Sequence, residues 1–504
     1  MTSLTLADII EGLTGNRIEA PQVIRSVVID SRQVEENSLF IALPGQRTDG
    51  HHFVGKAFQR GAIAAIIHQP VEACGQAQHI IAGHNALTVI SGLPVCIQVQ
   101  DSLAGLQQLA RFWRQKFNPR VVGITGSVGK STTKELIWAV LSTRFNTLKN
   151  EGNLNNELGV PLTLLKLNAS YEWIVLEMAM YDLGEIALLC DIAQPQIGVV
   201  TNIGPTHLER LGTIERIAQA KTELVKALPP YRPPSPELET DQAGVAVLNY
   251  DDPLVMAMAG QTQARVLTYG LSPEADLWAS DVVSAGLEGI RFVFHYQDEA
   301  IYARVPLLGR HSVHTALRAA LVGLIAGLDW AEIIAGLQEL PSTAQLRLVA
   351  VPGPSDSTLL DDTYNASPAS TIAALNLLDD LTAVRKIAVL GDMMELGSFE
   401  EEGHRKVGCR AAQTIDLLIV IGRRARFVAD EAQACGLESE RILVLEQNQE
   451  AIAYLEKNLR PGDIVLIKGS NSQKLDEIVS NLTLKSRRQR TETGRQKAVG
   501  FNDN

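Results

Sequence analysis

Residues 121–134 read Val-Val-Gly-Ile-Thr-Gly-Ser-Val-Gly-Lys-Ser-Thr-Thr-Lys. An apolar strand runs here into a glycine-rich turn, and a Lys-Ser pair then opens a helix. That order makes a phosphate cradle. Gly126 and Gly129 let backbone N–H groups approach a polyphosphate, Lys130 can reach the outer phosphates, and Ser131 offers a hydroxyl to Mg²⁺. Most cradles of this type carry glycine six residues before the lysine, and that position is Ile124 here. The shortened version, Thr125-Gly126-Ser127-Val128-Gly129-Lys130-Ser131 with Thr132 behind it, points to one branch of nucleotide enzymes. A purely structural glycine turn is the alternative, and the strand before and helix after argue against it.

Working outward, the chain divides by pattern into three α/β blocks and a tail. Its 504 residues suggest about three domains on length alone. The first block, 1–112, holds short strands such as Val27-Val28-Ile29 and Leu39-Phe40-Ile41-Ala42-Leu43, then a helix leading to Ala62-Ile63-Ala64-Ala65-Ile66-Ile67. The second, 113–341, alternates helices with near-continuous apolar strands, including Trp173-Ile174-Val175-Leu176 and Ile197-Gly198-Val199-Val200. Such runs suit a parallel sheet covered on both faces. A proline-rich loop over 229–236 interrupts it before Val245-Ala246-Val247-Leu248, and helix returns over Thr315 to Gly327. The third block, 342–484, repeats the alternation through strands at 386–390, 417–421 and 463–467, a second doubly wound sheet. Residues 485–504 are polar and basic, and a disordered tail is expected.

Bulk properties exclude several classes. Apolar residues make up 46% and charged residues 20%, a globular balance. A net charge of −12 argues against a nucleic-acid binder. No apolar run approaches a membrane span and no secretory leader is evident, so a cytoplasmic protein with no membrane insertion is expected. The five cysteines are scattered without a CxxC pair and read as reduced, mostly buried thiols.

A cradle needs a cation site. Glu177 ends the strand beginning at Trp173, where ligands gather at the carboxyl ends of parallel strands. His207 follows the next strand, in Thr201-Asn202-Ile203-Gly204-Pro205-Thr206-His207. Neighbouring strand ends would let a carboxylate and an imidazole face Ser131 across a metal. The alternatives are a surface carboxylate for Glu177, which its strand-end position argues against, and an ordinary residue for His207, the better reading until its Asn-, Gly- and Pro-rich loop at the same rim is counted.

With these segments quoted, the chain resembles the Mur ligases, the ATP-dependent enzymes that build the peptide of bacterial peptidoglycan. The resemblance runs from about residue 25 to about 480. It is carried by the cradle, Asn153-Leu154-Asn155-Asn156-Glu157, Glu177, Thr201 to His207, Gly309-Arg310-His311, and Asp362-Thr363-Tyr364-Asn365-Ala366. It implies that the cradle and Lys130 hold ATP, that Ser131 and Glu177 bind one Mg²⁺, and that His207 serves a second. Lys221 resembles a lysine that the family often carbamylates into a metal ligand; without the resemblance it reads as a solvated helix residue. Arg347 resembles an arginine that reaches the γ-phosphate on closure, and Asp362 a ribose contact. Ser31 and Arg32, with Asp30 and Asp49-Gly50-His51, look like a pocket for a uridine diphosphate group, to which Asn153 and Asn155 are also assigned.

Two family asparagines after Gly-Arg-His are replaced here by Ser312 and Thr315, so the adenine contacts are left open. Within the family, an Asp-Asn-Pro-Arg tetrapeptide of the diaminopimelate- or lysine-adding branch is absent. Leu390-Gly391-Asp392-Met393-Met394-Glu395-Leu396-Gly397 and Lys468-Gly469-Ser470 instead resemble signatures of the D-alanyl-D-alanine-adding branch. The resemblance therefore implies ligation of D-alanyl-D-alanine to UDP-N-acetylmuramoyl-tripeptide by a monomer. Another Mur-type ligase, folylpolyglutamate synthase, a P-loop nucleotide switch and a degenerate relative are the alternatives.

Overall fold

A computed structural model of the chain describes residues 3–45, 48–82, 90, 92–231, 243–339 and 348–484. Three sheets form the frame. The first has five parallel strands in the order Ser26–Val28, Ser38–Ile41, Ala62–Ile67, Val95–Gln98, Gln78–Ile81. The third has six, in the order Val349–Pro352, Thr358–Asp362, Asp463–Lys468, Arg385–Gly391, Leu417–Ile421, Ile442–Leu445, with only Val349–Pro352 antiparallel to its neighbour.

The central sheet has nine strands and positions the site. From one edge its order is Thr147–Lys149, Trp173–Glu177, Arg120–Thr125, Ile197–Val200, Val245–Asn249, Arg265–Gly270, Leu277–Ser284, Ile290–Tyr296 and Glu299–Val305. Two expectations are corrected here. The strands ending near Glu177 and His207 are not neighbours, because the cradle strand Arg120–Thr125 lies between them and pairs with both. The sheet is also not wholly parallel: Leu277–Ser284, Ile290–Tyr296 and Glu299–Val305 form an antiparallel meander on one edge. In the buried part of each of its strands, buried residues alternate with partly or fully exposed ones, the pattern of a sheet with one face towards water.

The cradle strand is held by its own side chains. Val121, Val122 and Ile124 are fully buried, each burial contributing about 1.5–3 kcal/mol. Ile124 thus belongs to the strand rather than the turn, which accounts for its standing where many cradles have glycine. The helix Lys130–Leu141 follows and shares one core with Val313–Ile325 through Leu136, Ile137, Val140, Ala316, Leu317 and Ala320.

The cysteine reading is overturned. Cys74 pairs with Cys96 and Cys409 with Cys435 as disulfides, with Cα–Cα separations of 5.9 and 5.3 Å. Partners 22 and 26 residues apart meet only through the packing of strands and helices, which no spacing motif announces. Cys190 is free, and burial, with Glu223 adding to it, pushes its thiol up to about 12. Among the described residues no helix is long and apolar enough to cross a membrane. Arg347, most of the proline-rich loop and the tail 485–504 lie outside the described residues.

Candidate active site

The cradle turn occupies the carboxyl end of its strand, and a second loop clamps it. Gly126 has φ 144°, and a Cβ there would sit 1.8 Å from Thr201 Oγ1. Gly129, with φ 86°, is the left-handed residue that starts the helix. Only glycine allows both the close approach and the turn. The loop after Ile197–Val200 holds the turn by side chain and backbone: Thr201 Oγ1 donates to Val128 O at 2.7 Å, Val128 N donates to Asn202 Oδ1 at 3.0 Å, and Ser127 N donates to Asn202 O at 2.9 Å. Lys130 Nζ folds back over the turn and donates to Gly126 O at 2.8 Å. Ser131 is buried in the first helical turn.

Glu177 is 1% exposed, so its carboxylate has left water behind. Asn155 Nδ2 donates to Oε1 at 2.9 Å, and Oε2 has no hydrogen-bond partner. Asn150 anchors the backbone, accepting from Glu177 N at 2.9 Å and donating to Glu177 O at 3.0 Å. A buried carboxylate oxygen left unpaired is costly unless a cation completes it. That donor chemistry fits Mg²⁺, a hard ion bound through one or two carboxylates plus phosphate oxygens and water. Among the described residues no three His, Cys, Asp or Glu side chains converge on one point. The expected ligand set does not need them to, since it draws on a hydroxyl and a lysine besides Glu177 and His207.

Lys221 is not the solvated residue its helical setting suggests. On the helix Ile214–Lys226 it is 2% exposed, and burial, with the positive charge of Lys130 adding to it, holds its amine well below the ordinary lysine range. Burial that disfavours the ammonium form suits this amine to become a carbamate. His207 has φ 59°, an uncommon left-handed backbone for a non-glycine residue, and its Nδ1 lies 2.5 Å from Glu395 Oε2 of the third sheet's domain. Glu395 also meets this loop through its backbone, accepting from Glu209 N at 3.3 Å.

One cavity of about 1000 Å³ joins several of these groups. Its wall includes Ser127–Lys130, Thr132, Asn153, Asn155, Glu177 and His207 from the central region, and Asp362, Glu395 and Lys468 from the third sheet. Ser131 and Lys221 do not line it. Asp362, expected at a ribose, accepts from Lys468 Nζ at 2.6 Å. The two quoted signatures of this region are laced together: Met394 N donates to Ser470 Oγ at 3.0 Å, and Ser470 N donates to Asp392 O at 3.1 Å.

Comparison with known families and structures covers nearly the whole chain. Three family models match: the Mur ligase family catalytic domain over residues 23–114, the Mur ligase middle domain over 124–323, and the Mur ligase glutamate ligase domain over 346–471. The UDP-N-acetylmuramoyl-tripeptide–D-alanyl-D-alanine ligase of Bacillus subtilis strain 168 is 35% identical over 484 residues, covering 95% of this chain and 98% of its own. The chain belongs to the Mur ligase family. Among solved structures, MurF from Acinetobacter baumannii superposes with a TM-score of 0.80 at 26% identity, covering 96% of this chain and 100% of that one. MurF ligase from Thermotoga maritima in complex with ADP gives 0.74 at 28% identity, covering 92% and 98%.

In this Mur ligase the residues assigned to the uridine group split. Asn153 and Asn155 share the cradle's cavity, and Asn155 spends its amide on Glu177. Ser31 and Arg32 form a separate turn outside that cavity. Arg32 is 83% exposed and pairs with Asp30 at 2.7 Å, holding the Asp30 carboxyl down to about 2. Arg60 was not anticipated, yet it donates to Ser31 O at 3.2 Å and Arg32 O at 2.9 Å and brings a second cation to this turn. Asp49 accepts from His51 Nδ1 at 2.6 Å. The two residues standing for the family's asparagines are engaged locally: Ser312 Oγ donates to Leu308 O at 2.7 Å, and Thr315 Oγ1 accepts from Arg318 at 2.8 Å. Arg318 also escaped the sequence reading. Its signal was a single charge inside the otherwise apolar run Ala316-Leu317-Arg318-Ala319-Ala320-Leu321.

Proposed function

We propose that this Mur ligase joins D-alanyl-D-alanine to UDP-N-acetylmuramoyl-tripeptide at the expense of ATP, as the name of its Bacillus subtilis relative describes for that protein. The observation that carries the site is the single cavity in which Lys130, the half-satisfied Glu177, His207 and the Asp362–Lys468 pair meet. The reading divides the chain into a uridine-nucleotide domain, a nucleotide domain and a closing domain at 1–112, 113–341 and 342–484, in a cytoplasmic monomer.

The reaction couples two displacements. The tripeptide's terminal carboxylate oxygen attacks the γ-phosphorus of ATP, and ADP leaves, giving an acyl phosphate. The amine of D-alanyl-D-alanine, having lost a proton, attacks the acyl carbon, and inorganic phosphate departs. Carboxylate and γ-phosphate repel, so the site must gather positive charge where they meet. Lys130 swings from the carbonyls of Gly126 and Ser127 onto the outer phosphates, and the backbone from Thr125 to Thr132 with the helix N-terminus takes the rest. Ser131 and Glu177 would hold one Mg²⁺, and His207 with a carbamylated Lys221 a second. Bound Mg²⁺ supplies Lewis-acid screening of the phosphate oxygens. Asp362 would orient the ribose edge, with Lys468 fixing its carboxylate. Arg347 is assigned to the γ-phosphate by resemblance alone.

The test is phosphate release from ATP with UDP-N-acetylmuramoyl-tripeptide, with and without D-alanyl-D-alanine. Release that needs both, with a uridine product heavier by one dipeptide less water, is expected. ATP turnover indifferent to both acceptors would replace the ligase by a nucleotide switch.

A further inference from the structure

Arg318 stands in the middle of the helix Val313–Ile325 and is 3% exposed. Its guanidinium is held from two sides. Nη1 donates to Tyr269 Oη at 3.3 Å and Nη2 donates to Thr315 Oγ1 at 2.8 Å, while the Tyr269 ring centroid lies 5.5 Å from the guanidinium carbon. Both acceptors are neutral hydroxyls. Nε is buried and has no hydrogen-bond partner.

No carboxylate forms an ion pair with Arg318 among the described residues. The two acids after the neighbouring strand Val245–Asn249 are committed elsewhere. Asp251 pairs with His314 at 2.7 Å and accepts from Leu271 N at 2.8 Å. Asp252 accepts from Ile203 N at 2.8 Å and from Leu254 N at 3.0 Å. Taking a guanidinium out of water without a counter-charge is strongly unfavourable, and arginine cannot escape by losing its proton. A buried, propped, half-satisfied cation is therefore built for an anion that arrives later.

The position says which anion. Arg318 lines the same cavity as the cradle, and its Nη2 lies 3.4 Å from where a Cβ on Gly129 would be. Gly129 immediately precedes Lys130, so the guanidinium borders the turn that wraps the phosphates. Its rigid fork suits phosphate oxygens. Tyr269 is itself anchored, its hydroxyl lying 3.0 Å from both Val200 O and Thr201 O, beneath the arginine.

We propose that Arg318 is a direct ligand of the nucleotide's polyphosphate, a second cation beside Lys130 that the cradle motif does not announce. The inference rests on the cradle holding a nucleoside triphosphate. Thr315 and Tyr269 orient the fork, and a phosphate oxygen completes it.

Calorimetric titration of wild type, Arg318→Met and Arg318→Lys with ADP, inorganic tripolyphosphate and adenosine tests this. Arg318→Met should weaken ADP and tripolyphosphate by about ten- to a hundredfold, the range of a hydrogen bond to a charged group, and leave adenosine unchanged. Arg318→Lys keeps the charge but loses the fork, and should show the same pattern at smaller amplitude; it serves alone if the methionine variant does not fold. ADP affinity unchanged in both variants, or adenosine weakened as much as ADP, overturns the proposal and leaves Arg318 a structural prop. Wild type that binds neither ADP nor tripolyphosphate would instead refute the nucleotide reading on which the proposal stands.

Discussion

Asp362 and Lys468 stand in register on neighbouring parallel strands, and Lys468 Nζ donates to Asp362 Oδ2 at 2.6 Å with both side chains buried. Lys468 also donates to Asn365 O at 2.8 Å, so one ammonium ties a strand end to the turn that follows the partner strand. The pair sits on the cavity wall, where the third sheet faces the cradle.

Breaking this pair from one side leaves a buried charge alone. Lys468→Met should lower the stability of the third-sheet domain by about 3–5 kcal/mol. Adding Asp362→Leu to it should return part of that loss. Urea unfolding of the two variants and the wild type checks both, and equal losses in single and double variants would mean the pair is not coupled.

Glu177→Gln keeps an acceptor for Asn155 but removes the charge that the unpaired Oε2 would give a cation. Acceptor-dependent phosphate release should fall by about a hundredfold to a thousandfold, with an unchanged far-ultraviolet spectrum. Lys130→Ala should do the same. Turnover near wild type in either variant would remove that residue from the site.

Gly126→Ala brings a Cβ to 1.8 Å from Thr201 Oγ1, a distance no rotamer change at position 126 can relieve. The Thr201 loop or the cradle must move, and Thr201 holds the cradle through Val128 O. ADP binding should be lost while the N-terminal sheet stays folded. Differential scanning calorimetry with and without ADP reads both, and a wild-type ADP shift would contradict the clamp.

Asp49 is held down to about 2 from an ordinary value near 3.8, first by the backbone N–H of His51 and then by its ring. A carboxyl depressed in the folded state stabilises above its unfolded pKa, and that contribution fades as pH falls from about 4 towards about 2. Wild type should therefore lose more melting temperature than Asp49→Asn between pH 5 and pH 2. Parallel curves for the two proteins would show that Asp49 gains nothing from its partners.

Much of this was readable beforehand because it is local. The cradle is a run of consecutive residues whose glycines, lysine and serine act on the backbone they belong to, so strand, turn and helix followed from spacing. The covered strands at 173–177, 197–200, 417–421 and 463–468 were visible as apolar runs for the same reason. Strand order was not readable, since hydrogen bonding between strands distant in sequence depends on how the intervening helices pack. That is why Glu177 and His207 were expected on adjacent strands and instead flank the cradle strand.

What the amino-acid sequence determined by itself is the chemistry on offer: a phosphate-binding turn, a carboxylate at a strand end, a loop histidine, and a family likeness spread over nearly the whole chain. Tertiary structure alone decided which groups lost their water and which found partners. Lys221 reads as a solvated helix residue and is buried near the charge of Lys130; Arg318 reads as one charge in a helix and is propped beside Gly129 with an unpaired Nε; four cysteines with no motif became two disulfides. Burial and pairing depend on residues far apart in the chain arriving at one place, and that arrival belongs to the packed fold rather than to any window of sequence.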